Sequence, residues 1–169
     1  MVDLKEEFPE YNSQYLQQIE EYASDIINDE RYLMHKKYIQ HGSTSIYKHC
    51  IMVTCRCLQV ASKKNDIDKK RLVRASLLHD YFKYDWHIYA RENGLHKLHG
   101  IYHPTYAAEN AIKDFNISKL EENAIRAHMW PLGFAFPKSK EAWILFWADK
   151  YCALNETCRL SSSGRATHS

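Results

Sequence analysis

Apolar side chains recur along this chain at intervals of three and four residues, the spacing that turns one face of a helix inward. From about Asn12 to Lys37 the stripe is Tyr15, Leu16, Ile19, Tyr22, Ala23, Ile26 and Ile27, with Pro9 and Asn12-Ser13 as start signals. Ser43-Thr44-Ser45 caps a second helix running to about Ser62, whose inward positions are Ile46, His49 or Cys50, Val53, Cys57 and Val60. A third opens on Lys69, Lys70, Arg71 and Arg74, a charge run expected to be a solvated face, and buries Leu72, Ala75, Ser76 and His79. His103-Pro104 opens the next, through Ala107, Ala108 and Ala111 to Phe115, with proline at the first position, where its missing donor costs nothing. Ser118 starts a helix over Leu120–Trp130, with Glu121 and Glu122 expected to face solvent and Ile117, Leu120, Ala124, Ala127 and His128 to face inward. Pro131 ends it, and Ser139 begins the last, which carries Trp143, Ile144, Phe146, Trp147 and Asp149 to about Asn155.

Between these elements lie a polar turn at Lys63-Lys64-Asn65-Asp66 and a polar connection holding Asp85, Trp86, His87, Glu92, Asn93, Gly94, His96 and His99. An apolar loop carries Phe134 and Phe136, and His35 and His41 read as surface or loop residues. No internal repeat appears. The pattern implies an all-α, single-domain bundle of about six or seven helices over residues 1–158, with an N-terminal helical extension and a flexible tail over 159–169.

Composition agrees: 169 residues suffice for one real core, and five Gly with four Pro favour helices over a turn-rich β architecture. The formal net charge of +2 gives no electrostatic case for nucleic acid or membrane binding. The polar N-terminus lacks a signal-peptide core, and the longest apolar run, Ala142 to Ala148, is far short of the roughly 20 residues of a membrane span. A cytoplasmic location and reduced thiols are therefore expected for Cys50, Cys55, Cys57, Cys152 and Cys158, which form no Cys-x-x-Cys pair.

Ten histidines are the compositional oddity. At the end of the third helix, Leu77-Leu78-His79-Asp80 places an imidazole and a carboxylate side by side after an apolar run, with Lys83 three residues on. A carboxylate beside such a run is costly unless paired, metal-bound or turned to solvent. His49, His103, His128 and Asp149 each fall on a different helix. Each has a bland reading, a core or capping residue satisfied by one hydrogen bond, beside the reading as a ligand. The gaps from His49 to His79, and from Asp80 through His103 and His128 to Asp149, are 30, 23, 25 and 21 residues. These are lengths of helix-plus-loop units, so the six side chains could converge on one pocket, as metal sites in bundles do. Four imidazoles and two carboxylates suit Fe, Mn or Zn better than the all-oxygen shells of Ca or Mg, though Mg stays open.

In its order of His49, then His79-Asp80, then Asp149 on helices, the chain resembles the HD superfamily of metal-dependent phosphohydrolases, over roughly Ser43 to Ala153. His103 and His128 resemble the additional histidines of its binuclear members, including bacterial hydrolases that split diadenosine tetraphosphate symmetrically. The resemblance implies one metal on His49, His79, Asp80 and Asp149 and a second on Asp80, His103 and His128, with Asp80 bridging. Two cations about 3.5–4 Å apart can lower the pKa of a shared water and clamp phosphate oxygens, so that hydroxide attacks phosphorus. Lys83 would offset charge on the transferring phosphoryl group. The chain departs from the cyclic-dinucleotide branch, having no Gly-Tyr-Pro signature. It departs from the diadenosine-tetraphosphate enzymes at Met129-Trp130-Pro131-Leu132, where Trp130 and the Phe134–Phe136 loop could set a different selectivity or simply pack.

The implied substrate is a small phosphorylated molecule, a phosphate ester or phosphoanhydride, with a nucleotide foremost. The competing class is a nucleotide-binding or regulatory module that keeps the metal without turnover. Nucleic-acid binding through Lys63 to Arg74 is a third reading, and the twelve Tyr and four Trp leave room for a homodimer surface.

Overall fold

The computed structural model describes residues 2–41, 44–83 and 96–163. Among these are eight α-helices: α1 (Leu4–Glu7), α2 (Ser13–Ile27), α3 (Glu30–Leu33), α4 (Ile46–Ala61), α5 (Lys69–Leu78), α6 (His96–Phe115), α7 (Lys119–Ala127) and α8 (Lys140–Ser163). The all-α reading holds. The one sheet among the described residues is a short antiparallel hairpin, β1 (Ile39–His41) with β2 (Thr44–Ser45), which the helical periodicity did not reveal.

The helices start where short polar side chains can accept the free N–H groups of a first turn. Asp3, Asn12, Asp29, Ser45 and Asp68 cap α1 to α5 in this way. Ser118 and Glu121 form a reciprocal capping box on α7. The cap at Asp29 explains a difference from expectation. The single helix anticipated over Asn12–Lys37 breaks at Asn28-Asp29, because Asn28 Nδ2 donates back to the Ser24 carbonyl (2.8 Å) while Asp29 accepts from Arg31 N (2.8 Å). One C-cap and one N-cap stand side by side, and a turn of 3₁₀ helix (Met34–Lys36) follows α3.

Helix α4 lies at the centre, packed along α5 on one side and α8 on the other; α7 rests on both α5 and α8, and α6 on α7. The core they enclose includes Ile51, Leu58, Leu72, Leu77, Ala108, Ala124 and Leu145. Removing such apolar area from water drives the association at roughly 25 cal/mol per Å².

Several expectations are corrected. Helix α6 begins at His96, not at His103, so Pro104 lies inside it; the proline forfeits one backbone hydrogen bond and the helix continues. Glu121 is buried, because its carboxylate serves the cap and meets Arg74 Nε at 3.3 Å, while Leu120 is exposed. His35 is buried too, its Nε2 3.0 Å from the Phe82 carbonyl and its ring edge-on to Tyr32 and Tyr81. Helix α8 passes Asn155 and ends at Ser163. Arg74 is not a solvated charge: it forks onto Asp25 (2.7 and 2.8 Å) and donates to the Phe115 carbonyl (3.0 Å). The connection with Asp85, Trp86, His87, Glu92, Asn93 and Gly94 lies outside the described residues, as do the His41, His96 and His99 side chains and residues 164–169. Among the described residues, no helix is long and apolar enough to cross a membrane.

Candidate metal centre

Two helix C-termini and the bodies of three other helices bring the polar groups inward. Helix α5 stops at Leu78, and His79 takes the C-cap position. The backbone then turns tightly, with Tyr81 N on the Leu78 carbonyl (3.1 Å) and Phe82 N on the Asp80 carbonyl (2.9 Å). Leaving the helical path lets the consecutive side chains of His79 and Asp80 approach each other in one buried cluster. Asp80 is only 2% exposed, so its carboxylate is not turned to solvent. His128 is likewise a C-cap, ending α7. His49 sits in the first turn of α4, His103 within α6 and Asp149 midway along α8; all are buried.

The six side chains meet around the Asp80 carboxylate. Its Oδ2 lies 3.3 Å from His79 Nε2 and 4.0 Å from His49 Nε2. Its Oδ1 lies 3.3 Å from His103 Nε2 and 3.7 Å from His128 Nε2. Asp149 Oδ1 is 3.2 Å from His49 Nε2 and 3.6 Å from His79 Nε2. The two distal nitrogens of His103 and His128 face each other at 2.9 Å. Two compact groups of ligand atoms result, His49/His79/Asp149 and His79/Asp80/His128, each within 4.8 Å.

The ring orientations have a cause. His79 Nδ1 is held by the Ser76 carbonyl and His128 Nδ1 by the Ile125 carbonyl, both at 2.8 Å and both three residues back in the same helix. His49 Nδ1 is 2.9 Å from Glu156 Oε2. An acceptor on Nδ1 places the proton there and leaves the Nε2 lone pair for the centre, the usual arrangement behind metal-bound histidines.

Charge follows the same geometry. Burial would raise Asp80, but His79 and His103 hold it well below the usual carboxylate range. Asp149 is likewise held down against burial, by His49 and His79. Burial would lower His49, but Asp149 and Glu156 raise it to about 10. His79 is lifted well above its ordinary value, against burial, by Asp80 together with Cys50 and Asp149. His128 goes the other way, to about 3, because burial and the neighbouring His103 and His79 disfavour a further positive charge. Protons thus supply the positive charge that two buried carboxylates require. His79 Nε2 and Asp80 Oδ1 are enclosed and form no hydrogen bond among the described residues, despite standing 3.3 Å from an opposite group. Buried polar atoms without a hydrogen bond, at the focus of a nitrogen–oxygen donor set, fit a divalent transition metal.

Lys83 is not brought to this cluster by any described contact: its ammonium pairs with Asp114, which also accepts from the Tyr81 hydroxyl at 2.8 Å. A different lysine stands at the centre. Lys150 Nζ donates to Asp149 Oδ2 (2.8 Å), lies 3.0 Å from Met129 Sδ, and sits 5.7 Å from the Phe146 ring centroid. Sequence reasoning stopped one residue short of it. It also missed Glu156, although Asp149 and Glu156 are seven residues apart, two turns along one helix face. Gln40, which donates to Asp80 Oδ2 at 2.6 Å, comes from the hairpin and carried no periodic signal. Trp130 packs edge-on against Phe136, Trp143 and Phe146, and Phe134 is 93% exposed.

The HD domain family model matches residues 46–154, which span all six side chains. No curated protein and no solved structure matches the chain.

Proposed function

The chain belongs to the HD domain family, and from that premise we propose that it is a metal-dependent phosphohydrolase with two metals per chain, acting on a phosphate ester or phosphoanhydride of a nucleotide. The observation that carries the reading is Asp80, a buried carboxylate with imidazoles on both of its oxygens and Asp149 across the cavity. His49, His79, Asp80 and Asp149 would hold one cation; Asp80, His103 and His128 the other, with Fe, Mn or Zn suited to the donor set. Bound metal supplies Lewis acidity toward phosphoryl oxygens and water.

The residues of the chain do the rest. Hydrogen bonds from Nδ1 to Ser76, Ile125 and Glu156 aim three imidazoles and save their reorganisation during turnover. The aliphatic and aromatic packing around α4, α5 and α7 keeps bulk water from the buried side of the cluster. Lys150 is the ammonium on the partly open side, 32% exposed, where it can meet phosphate oxygens as negative charge develops. Lys83, first expected in that role, pairs with Asp114, which is not among the candidate ligands, whereas Lys150 pairs with Asp149, which is.

The test is phosphate release from a panel of nucleotides, diadenosine tetraphosphate among them, with metal-stripped protein reconstituted with Mn, Fe or Zn. Metal-dependent release from at least one substrate supports the enzyme. Thermal stabilisation by nucleotide with no release from any of them would make the chain a binder.

A further inference from the structure

Gln40 lies outside the segment that the family model matches, on strand β1, yet its side chain reaches the middle of the centre. An ionised carboxylate only accepts hydrogen bonds, so the atom of Gln40 that faces Asp80 Oδ2 at 2.6 Å must be the amide nitrogen. Among the described residues this contact is the shortest that Asp80 makes to a group outside the six candidate ligands, and it is neutral. It therefore leaves the charge of Asp80 intact while restricting rotation of the carboxylate about its last side-chain bond. That rotation decides how the two oxygens are shared. As held, Oδ1 serves His103 and His128, and Oδ2 serves His79 and His49. The hairpin is itself anchored, since Ile46 N donates to the Tyr38 carbonyl (2.9 Å) and Ile39 pairs with Ser45, the cap of α4. Helix α4 carries His49, so the same turn of chain fixes a ligand and the clamp on the bridging carboxylate. Gln40 Oε1 is also enclosed without a hydrogen bond among the described residues, an acceptor the fold does not use for packing.

We propose that Gln40 is a positioning residue of the metal centre: through its carboxamide the N-terminal hairpin sets the Asp80 carboxylate so that its two oxygens address two separate cations. The inference rests on the metal-binding reading above, and the test separates the two. Metal-stripped wild type and Gln40→Met, which keeps the chain length without a donor, are titrated with Mn(II) and followed by calorimetry and electron paramagnetic resonance. Wild type should bind two equivalents and show the spin-coupled signal of a close pair. Gln40→Met should bind the second equivalent about 10- to 100-fold more weakly, the usual effect of losing such a partner, and lose the coupled signal while its metal-free melting temperature stays near that of wild type. Gln40→Leu serves if the methionine variant does not fold. Equal affinities and an unchanged coupled signal in the variant would overturn the role of Gln40 alone. A wild-type protein that takes up no Mn(II) would overturn the metal reading and this inference with it.

Discussion

Replacing Asp80 by asparagine changes the charge of the centre while keeping its shape. The carboxylate is 2% exposed and has four imidazole nitrogens within 3.3 to 4.0 Å. Loss of a partner behind a ligand already costs 10- to 100-fold in metal affinity, so loss of the anionic oxygens themselves should cost at least about 100-fold. A ligand at 100 times its Kd stabilises the folded state by about 2.7 kcal/mol; after a 100-fold weakening the same concentration gives about 0.4 kcal/mol. For a chain of this size each kcal/mol moves the melting temperature by roughly 2–4 °C. Metal-stripped wild type should therefore gain about 5–11 °C on adding Mn(II) at 100 times its Kd, and Asp80→Asn only about 1–2 °C. The comparison is between metal-dependent shifts, so any change in metal-free stability cancels. A full shift in the asparagine variant would refute the placement of Asp80 at the heart of the site.

Other predictions follow from the neighbouring residues. Glu156→Ala removes the acceptor on His49 Nδ1 and should weaken Mn(II) binding about 10- to 100-fold by calorimetry; unchanged affinity would mean the contact is only packing. Lys150→Met should lower kcat/KM about 100-fold in the phosphate-release assay while retaining a Mn(II)-dependent melting shift; an unchanged kcat/KM would remove Lys150 from the chemistry. Metal must displace protons that the cluster retains at neutral pH, because His49 is held up at about 10 and His79 well above its usual value. Mn(II) uptake should thus release protons, seen as a heat that changes with the ionisation enthalpy of the buffer, and affinity should rise with pH above about 7. The sign for the metal-free protein is opposite: a histidine with a raised folded value stabilises fully below its unfolded value near 6.5, and that contribution fades as pH climbs toward about 10. Thermal melts of stripped protein between pH 7 and 10 should fall for wild type and fall less for His49→Gln.

The features legible in the sequence were those with a period. Stripes such as Leu72, Ala75, Ser76 and His79 revealed a helix, and the stripes carried His49, His79 and His128 along as inward-facing members. Convergence was readable only as spacing, since helix-length gaps permit a shared pocket without requiring one. The misses came from groups whose placement depends on chain reversal or on tertiary pairing. Glu121 looked like a dipole-complementing surface residue, but Arg74 and the cap of α7 draw it inside. Gln40 sits in a hairpin of five strand residues, too short for an alternating pattern to register. Lys83 drew attention because it follows His79-Asp80 closely in the chain, and Lys150 drew none; only the fold sends the first to Asp114 and the second to Asp149.

In the proposed centre Asp80 joins two cation sites built from His49, His79, Asp149, His103 and His128. Anomalous scattering at the manganese edge, from crystals of protein reconstituted with Mn(II), addresses it directly. Two peaks flanking the Asp80 carboxylate, one on the side of Asp149 and one on the side of His103 and His128, are the predicted result. A map with no peak between Asp80 and Asp149 would contradict it.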